Sequence, residues 1–145
     1  MIDIGVLREE DRRTWEVLAR GYKDFYRTPV PDEGYEETWQ QLRLGTAFHG
    51  IGAWSDGTLV GIAHYLFHPT FWLGDSCYLQ DLFVDEAARG KGVARKLIEE
   101  VAGVARERGV SRLYWTTQEG NIAARALYDK VAIFKGFIRY DYPLT

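Results

Sequence analysis

Cysteine is almost absent from this chain: Cys77 is the only one in 145 residues. A single cysteine cannot form an internal disulfide, and alone it does not supply the ligand spacing of a structural metal site. We therefore expect a protein of a reducing compartment, the cytoplasm, without a bound metal.

Long hydrophobic runs are also lacking, since no stretch approaches the roughly 18–20 apolar residues that a membrane span requires. The N-terminus has no basic region followed by an apolar run, so no signal peptide is predicted. We expect a soluble, unexported chain that does not bind membranes. The net charge is only −3 at pH 7, which argues against a nucleic-acid-binding surface and weakly favours a cationic small substrate.

The chain has the size and composition of one ordinary domain. Its 145 residues are 46% hydrophobic, which is enough apolar material for one substantial core. No internal repeat, low-complexity tract or linker divides it, so residues 1–145 are predicted to form a single domain.

The first half of the chain predicts a strand, two helices and a hairpin. A strand at 2–7 precedes a helix with apolar residues at helical spacing and Asp11 as a candidate N-cap. Two prolines break that helix, and a second amphipathic helix ends at Gly45. Two apolar stretches then flank the sequence at 55–57, Ser-Asp-Gly, which predicts an antiparallel hairpin.

The second half alternates strands and helices. A strand at 77–85 is followed by a helix that stops at Gly109, a strand at 111–117, a helix with Asn121 as N-cap, and a terminal strand at 136–144. The order β-α-α-β-β-β-α-β-α-β predicts an α/β protein (α+β by a looser definition). Its central sheet is expected to be mixed, mostly antiparallel and flanked by helices, with parallel neighbours around the β-α-β unit.

A glycine-rich stretch joins the strand at 77–85 to the next helix. Gly90 and Gly92 allow backbone N–H groups to turn outward, and the following helix N-terminus favours an anion. Arg89 and Lys91 add donors suited to phosphate, so a diphosphate is the natural ligand. The stretch lacks the third glycine of a dinucleotide fingerprint and the G-K-[ST] ending of a phosphate loop. Taken alone, such a stretch is more often a structural turn than a phosphate site.

Three separated motifs together resemble a known family. "LQDLFVDEAARGKGVARKLI", "NIAARALYDKVA" and "GFIRY" are similar to the GCN5-related N-acetyltransferases (GNAT), whose phosphate-binding motif is [QR]-x-x-G-x-[GA]. The similarity is strongest from about residue 58 to 142, and it is greatest to the subgroup containing the yeast histone, polyamine and D-amino-acid acetyltransferases. The resemblance implies a GNAT-type fold and acetyl-CoA as co-substrate.

The resemblance also assigns residues to the binding of acetyl-CoA. The backbone at 89–95 is expected to hold the diphosphate, the main chain of the preceding strand to pair with the pantetheine arm, and the start of the last helix to complete the site. The expected cofactor-binding residues are Leu82, Phe83, Val84, Arg89, Gly90, Lys91, Gly92, Val93, Ala94, Arg95, Asn121, Ala123 and Ala124.

Amine acetylation needs a neutral nucleophile and a proton for the departing thiolate. By resemblance, Tyr128 is the proton donor. Spermidine acetyltransferase carries a glutamate where this chain has Gln80, and a glutamine cannot accept a proton, so Gln80 is expected at most to orient a water. Asp81 is adjacent, but alternation along a strand is expected to turn its side chain to the other face.

The missing base favours one class of amine. An amine with a pKa of about 10.4 is almost wholly protonated at pH 7, whereas an α-amine with a pKa near about 8 has a usable neutral fraction. Tyr22, Tyr26 and Trp115 are candidate walls of the acceptor pocket, because aromatic faces suit an ammonium group. Core packing is the competing interpretation for each of them, and structural roles are expected for His64 and His68.

Three functions fit these patterns. The first is an acetyl-CoA-dependent N-acetyltransferase that acts on a small primary amine, such as an amino acid or polyamine, by direct attack in a ternary complex. The second is a protein or histone-tail lysine acetyltransferase, and the third is a non-catalytic CoA-binding module of the same fold. The apolar terminal strand and the resemblance also predict a homodimer.

Overall fold

The structure is a computed structural model that describes residues 1–145. One sheet of five strands and four helices accounts for most of the chain. The strands are β1 (Ile2–Val6), β2 (Phe48–Ser55), β3 (Thr58–Thr70), β4 (Gly74–Val84) and β5 (Leu113–Tyr114), and the helices are α1 (Arg12–Tyr26), α2 (Asp32–Leu44), α3 (Val93–Arg108) and α4 (Ile122–Val131).

The strands lie in the order β1-β2-β3-β4-β5. Neighbours are antiparallel, except that β4 and β5 are parallel and are connected through α3. This arrangement confirms the predicted mixed α/β fold, because a parallel pair requires a crossover such as a helix.

Local turn signals place several boundaries where the sequence predicts them. Asp56 and Gly57, at φ 50° and 85°, form the tight turn between β2 and β3, as expected for a two-residue hairpin loop that needs positive φ. Gly45 and Gly109 end α2 and α3 with φ of 66° and 74°, the left-handed geometry that glycine adopts at low cost.

The start of α1 differs from the prediction. Asp11 precedes the helix, but its side chain makes no capping bond to α1. Its Oδ2 instead accepts the backbone N–H of Arg8 at 2.7 Å, so the carboxylate stabilises the turn before the helix. None of the four helices has the length and apolar character required to cross a bilayer.

The sheet separates two hydrophobic clusters. One lies under α3 and includes Leu97 and Val101, both 0% exposed, whereas the other lies under α1 and α2 around Trp15, which is 1% exposed. Burying each such side chain contributes about 1.5–3 kcal/mol. Cys77 belongs to the first cluster, and burial raises the pKa of its thiol to about 11.

Two predicted strands are corrected by the structure. The strand expected at 111–117 is reduced to β5, which pairs only with Cys77 and Tyr78. The strand expected at 136–144 does not form, and the C-terminal tail, residues 133–145, has no regular secondary structure and is exposed throughout. A strand requires an adjacent edge to pair with, and β5 offers an edge of only two residues.

Candidate active site

A cleft opens where β4 and β5 diverge. The two strands pair at only two positions, after which β4 continues to Val84 while β5 ends at Tyr114. We call this divergence the fork. The cleft at the fork is lined by Tyr22, Tyr26, Leu79, Gln80, Leu82, Trp115, Thr116 and Tyr128. The structure therefore brings together both predicted catalytic residues and all three predicted substrate-binding aromatics.

Helix α1 supplies one wall of the cleft. Tyr22 and Tyr26 lie one turn apart, with ring centroids at 5.0 Å, and the edge of Tyr22 meets Phe83 at 6.4 Å. The Tyr22 hydroxyl donates to the main-chain oxygen of Gln80 at 3.3 Å. Burial, followed by the nearby charge of Asp81, raises the pKa of Tyr22 well above its usual value, so this hydroxyl stays protonated at neutral pH.

Helix α4 supplies the opposite wall through Tyr128. The ring of Tyr128 contacts Trp115 edge to face at 5.4 Å, and its hydroxyl makes no hydrogen bond to another protein group. Burial, with a smaller contribution from Tyr26, raises the pKa of Tyr128 to about 12. The site therefore holds a protonated phenol whose hydrogen-bonding capacity is free.

Asn121 ties the start of α4 to the first wall. Its Oδ1 accepts the backbone N–H of Ala124 at 3.5 Å, which confirms the predicted N-cap. Its Nδ2 donates to the Tyr26 hydroxyl at 3.3 Å and to Thr117 Oγ1 at 3.2 Å. The amide thus positions Tyr26 relative to Tyr128. Ala123 lies exposed in the first turn of α4.

The glycine turn before α3 is open to a ligand. Gly90 and Gly92 have φ of 80° and 79°, and a Cβ added at either would meet no atom within 4 Å. Gly92 is the N-cap of α3, and no acidic residue lies in the first helical turn. Outward-facing N–H groups and the positive end of the helix dipole suit a phosphate at this place.

Arg89 has a structural contact that the sequence does not predict. Its Nε donates to the main-chain oxygen of Val84 at 3.0 Å, and its guanidinium lies 5.5 Å from the centroid of Phe83 and 6.0 Å from that of Phe25. Arg89 therefore ties the glycine turn to the end of β4 and to α1. The terminal nitrogens of Arg89 can still donate to an anion. The Val84 carbonyl already accepts a hydrogen bond from Arg89 and is not free for a ligand.

Strand β4 carries a bulge in the cleft. His64 pairs with Asp81 but Tyr65 pairs with Leu79, so Gln80 has no partner of its own on β3. An extra residue shifts the alternation of side chains beyond it. Leu79 and Leu82 pack with the cluster under α3, whereas Asp81 bonds to His64 and interacts with Tyr22 on the α1 side.

Asp81 is not among the residues that line the cleft, and its carboxylate bonds to His64 behind the cleft wall. Sequence reasoning missed these contacts of Asp81, because they come from His64 on β3 and Tyr22 on α1. The only available signal was an adjacent pair of polar residues inside an otherwise apolar strand.

The chain is similar to characterised acetyltransferases. Residues 15–132 match the acetyltransferase (GNAT) family. The D-amino-acid N-acetyltransferase HPA3 of Saccharomyces cerevisiae is 38% identical over 135 residues, which is 90% of this chain and 84% of that protein. A thialysine N-epsilon-acetyltransferase of Caenorhabditis elegans is 33% identical over 85 residues, covering 59% of this chain and 53% of its own length.

A solved structure has the same fold. AAC(6′)-Iy in complex with a bisubstrate analogue of CoA superposes with a TM-score of 0.88 and 17% identity, over 100% of this chain and 99% of that one. The overall fold is therefore shared with that protein.

Proposed function

We propose that this chain, which belongs to the acetyltransferase (GNAT) family, is an N-acetyltransferase that transfers the acetyl group of acetyl-CoA to a primary amine of a small molecule in a ternary complex. The observation that carries the proposal is the convergence of Tyr22, Tyr26, Gln80, Trp115 and Tyr128 at the fork. The open glycine turn lies between β4, which is one strand of the fork, and α3, and it supplies an anion site next to the cleft.

The residues present fit acetyl-CoA. The turn at Gly90 and Gly92 has room for the diphosphate, and Lys91, Arg95 and the first N–H groups of α3 surround it with donors. Leu82 and Phe83 lie on a stretch of β4 that has no strand neighbour on the fork side, so their main chain is free to pair with an amide-bearing arm. When bound, acetyl-CoA supplies the acyl group as a thioester.

The remaining residues of the proposed cofactor site belong to α3, α4 and the end of β4. Val93 and Ala94 keep the first turn of α3 compact, and Asn121, Ala123 and Ala124 lie at the start of α4, the helix that carries Tyr128. Val84 contributes through the carbonyl that anchors Arg89 rather than through free main-chain groups.

We assign proton donation to Tyr128. Its hydroxyl lines the cleft, has no protein partner and holds its proton across the neutral range. A thiolate with an ordinary pKa near about 8.5 is less basic than this phenolate, so donation is expected to accompany departure of the thiolate rather than precede it.

The acceptor is proposed to be an amino-acid-type amine. The two curated relatives are named for D-amino acids and for the ε-amine of thialysine, which supports small amines as the class. The absence of a carboxylate at Gln80 favours the α-amine, because a lower pKa leaves more neutral nucleophile at pH 7. The faces of Tyr22, Tyr26 and Trp115 suit the ammonium and alkyl parts of such a molecule.

We further propose that the chain acts as a homodimer. Large apolar side chains along the C-terminal tail are 67–91% exposed: Ile133, Phe134, Phe137, Ile138, Tyr140, Tyr142 and Leu144. An apolar segment of this length that stays largely exposed is typical of an interface. We propose that a second copy of the chain covers this tail. The cytoplasm remains the compartment predicted from the sequence.

A panel of acceptors tests the function. Purified protein and acetyl-CoA are mixed with one acceptor at a time. The acceptors are D- and L-amino acids, thialysine, polyamines and a histone-tail peptide. Free thiol release and the mass of the product are then measured. We expect acetylated amino acids as the best products. Acetylation of the peptide alone would instead support a protein acetyltransferase, and binding of acetyl-CoA without any product would contradict the proposed function.

A further inference from the structure

A chain of hydrogen bonds runs behind the cleft wall, and the proposed function does not use it. Trp15 Nε1 lies 2.9 Å from His64 Nε2, and His64 Nδ1 lies 2.9 Å from Asp81 Oδ2. The Tyr22 hydroxyl, which donates to the Gln80 carbonyl, also lies near the Asp81 carboxylate, and the charge of Asp81 acts on it. We call these four residues the relay. It spans from the core under α1 to the cleft, because Tyr22 lines the cleft and Trp15 is buried.

The donors fix the direction of the relay. An indole N–H can only donate, so His64 Nε2 must accept and the ring proton must lie on Nδ1. His64 therefore donates to Asp81, which is left as an ionised acceptor with its second oxygen, Oδ1, free of any bond to His64. Burial alone would raise the pKa of Asp81, but the hydrogen bond from His64 and the nearby charge of Lys23 outweigh it, and the pKa lies below its usual value.

The charged and titratable groups around Asp81 come from three elements. Strand β3 contributes His64, and α1 contributes Tyr22 and Lys23. Tyr26 and Tyr78 lie close enough to act on Tyr22. Lys23 is the only cation among them, and its Nζ lies 5.6 Å from the centroid of the Tyr22 ring. The hydrogen bond to the Asp81 side chain comes from His64, and Tyr22 is the titratable group that approaches Asp81 from the fork side.

We propose, on the basis of the proposed function, that Tyr22 and Asp81 together take the proton from the acceptor amine, with His64 and Trp15 as positioning residues. The N–H proton of the amine passes to the Tyr22 oxygen while the Tyr22 proton passes to Asp81. The amine nitrogen keeps the electron pair, the tyrosine is regenerated, and Asp81 becomes a neutral carboxylic acid. Its side chain is 18% exposed, so it returns the proton to water.

The relay answers the lack of a carboxylate at Gln80. A carboxylate is a weak base toward a free ammonium, so transfer is expected as the nitrogen attacks, when its proton becomes more acidic. The Tyr22 hydroxyl can turn from the Gln80 carbonyl to Asp81 without moving the ring, because both acceptors are its neighbours.

Kinetics of Asp81→Asn and Tyr22→Phe test the relay. We expect each variant to lose about 10²-fold in kcat/KM for a lysine-like amine at pH 7, while the Kd for acetyl-CoA stays unchanged. The loss should persist as the pH rises towards the amine pKa, because even a neutral amine must release a proton once its nitrogen attacks the thioester. Loss of the proton acceptor should also change the solvent isotope effect on kcat/KM, which a merely structural defect would leave as in the wild type.

Matched controls separate the relay from general damage. Asp11→Asn alters the other carboxylate that is shielded from solvent, and its hydrogen-bonding partner is Arg8 alone. Tyr35→Phe alters a buried tyrosine of the cluster under α1 and α2. Both controls are expected to keep the wild-type solvent isotope effect. Equal losses in Asp81→Asn and Asp11→Asn at every pH would overturn the relay and leave the acetyltransferase proposal intact.

A spectroscopic measurement checks the relay without turnover. Nitrogen-15 NMR of the His64 ring is expected to show a proton on Nδ1 and a bare Nε2 in the wild type at neutral pH. A proton on Nε2 would overturn the assigned direction. If the wild type releases no thiol with any amine, the proposed function itself is wrong and the relay is rejected with it.

Discussion

At the scale of single residues, Tyr128 gives the most direct test of the chemistry. Tyr128→Phe removes only the hydroxyl, so we expect kcat to fall while the Kd for acetyl-CoA is nearly unchanged. General acids contribute about 10²–10⁴-fold, and a phenol with a pKa of about 12 is a weak acid, which places the expected loss near 10²-fold. Single-turnover kinetics measure the acetyl transfer before product release.

Tyr65→Phe is the control for that substitution. Tyr65 is a tyrosine whose pKa is likewise raised by burial, but it stacks on His49 and belongs to the cluster under α3. We expect its kcat to match the wild type. An unchanged single-turnover rate in Tyr128→Phe would remove the acid role.

Gln80→Glu tests the preference for an α-amine. A glutamate here adds a base to the cleft, and the neighbouring charge of Asp81 would raise its pKa towards the working range. We expect the ratio of kcat/KM for a polyamine to that for an amino acid to increase, measured between about pH 6 and 9. Gln41→Glu adds the same charge on the exposed side of α2 and should leave the ratio unchanged. A constant ratio in Gln80→Glu would contradict the α-amine argument.

Individual site residues were predictable where a motif carried them. Tyr128 and the glycine turn belong to recognisable motifs, and Tyr22 and Tyr26 follow from helical spacing on α1. The contacts of Asp81 were not predictable, because they come from His64 on β3 and Tyr22 on α1. The contact of Arg89 with Phe25 was equally unpredictable, since it depends on where α1 lies relative to β4.

At the scale of elements, the N-terminus of α3 can be tested against its own C-terminus. Gly92→Glu places a carboxylate in the open space before the helix, where it would repel a diphosphate. Gly109→Glu is the matched control, because Gly109 has a φ of 74° against 79° at Gly92 and equally open surroundings. Both variants carry a similar left-handed strain of about 1–2 kcal/mol.

Calorimetric titration with acetyl-CoA distinguishes the two ends of the helix. We expect Gly92→Glu to weaken binding by at least about 10²-fold, which corresponds to about 2.7 kcal/mol, and Gly109→Glu to bind like the wild type. Melting temperatures should fall by similar amounts in both. Wild-type affinity in a folded Gly92→Glu would show that the phosphate site lies elsewhere.

The contact between β3 and β4 at the bulge predicts a loss of stability in acid. Because the pKa of Asp81 lies below its usual value in the fold, its stabilising contribution is complete above about pH 4 and disappears as the pH falls through the lower folded value. Asp81→Asn should therefore flatten the decline of Tm between about pH 5 and 2. Asp75→Asn, on the exposed end of the same strand, serves as the control and should decline like the wild type.

Elements with local signals were predicted more closely than elements with distant partners. The hairpin turn at Asp56–Gly57 and the ends of α2 and α3 are determined by residues at those positions. The length of β5 and the state of the C-terminal tail depend on which strand edges are available, and sequence pattern does not contain that information. This is why the terminal strand was predicted and is not found within one chain.

At the scale of the whole molecule, oligomeric state is the principal prediction. We expect light scattering to give the mass of a dimer at tens of micromolar, roughly where a modest interface saturates. Deletion of residues 133–145 should give a monomer, because it removes the exposed apolar side chains of the tail. A monomeric wild type, or a dimer that survives the deletion, would contradict the proposed role of the tail.

The hairpin between β3 and β4 provides the control for the dimer. Trp72 lies at its tip and is 91% exposed, so it is a second apolar surface unrelated to the tail. Trp72→Ser is expected to leave the dimer intact. Loss of the dimer in this variant but not in the deletion would place the interface at the hairpin instead.

The burial of Cys77 makes this chain a convenient background for site-specific labelling. The side chain is 0% exposed and its pKa is about 11, so only about one thiol in ten thousand is a thiolate at pH 7. Maleimides should ignore it in the folded protein. A cysteine introduced at Thr145 would then be the sole reactive position, and a nitroxide attached there would report the separation of two tails by electron spin resonance without removal of the native cysteine.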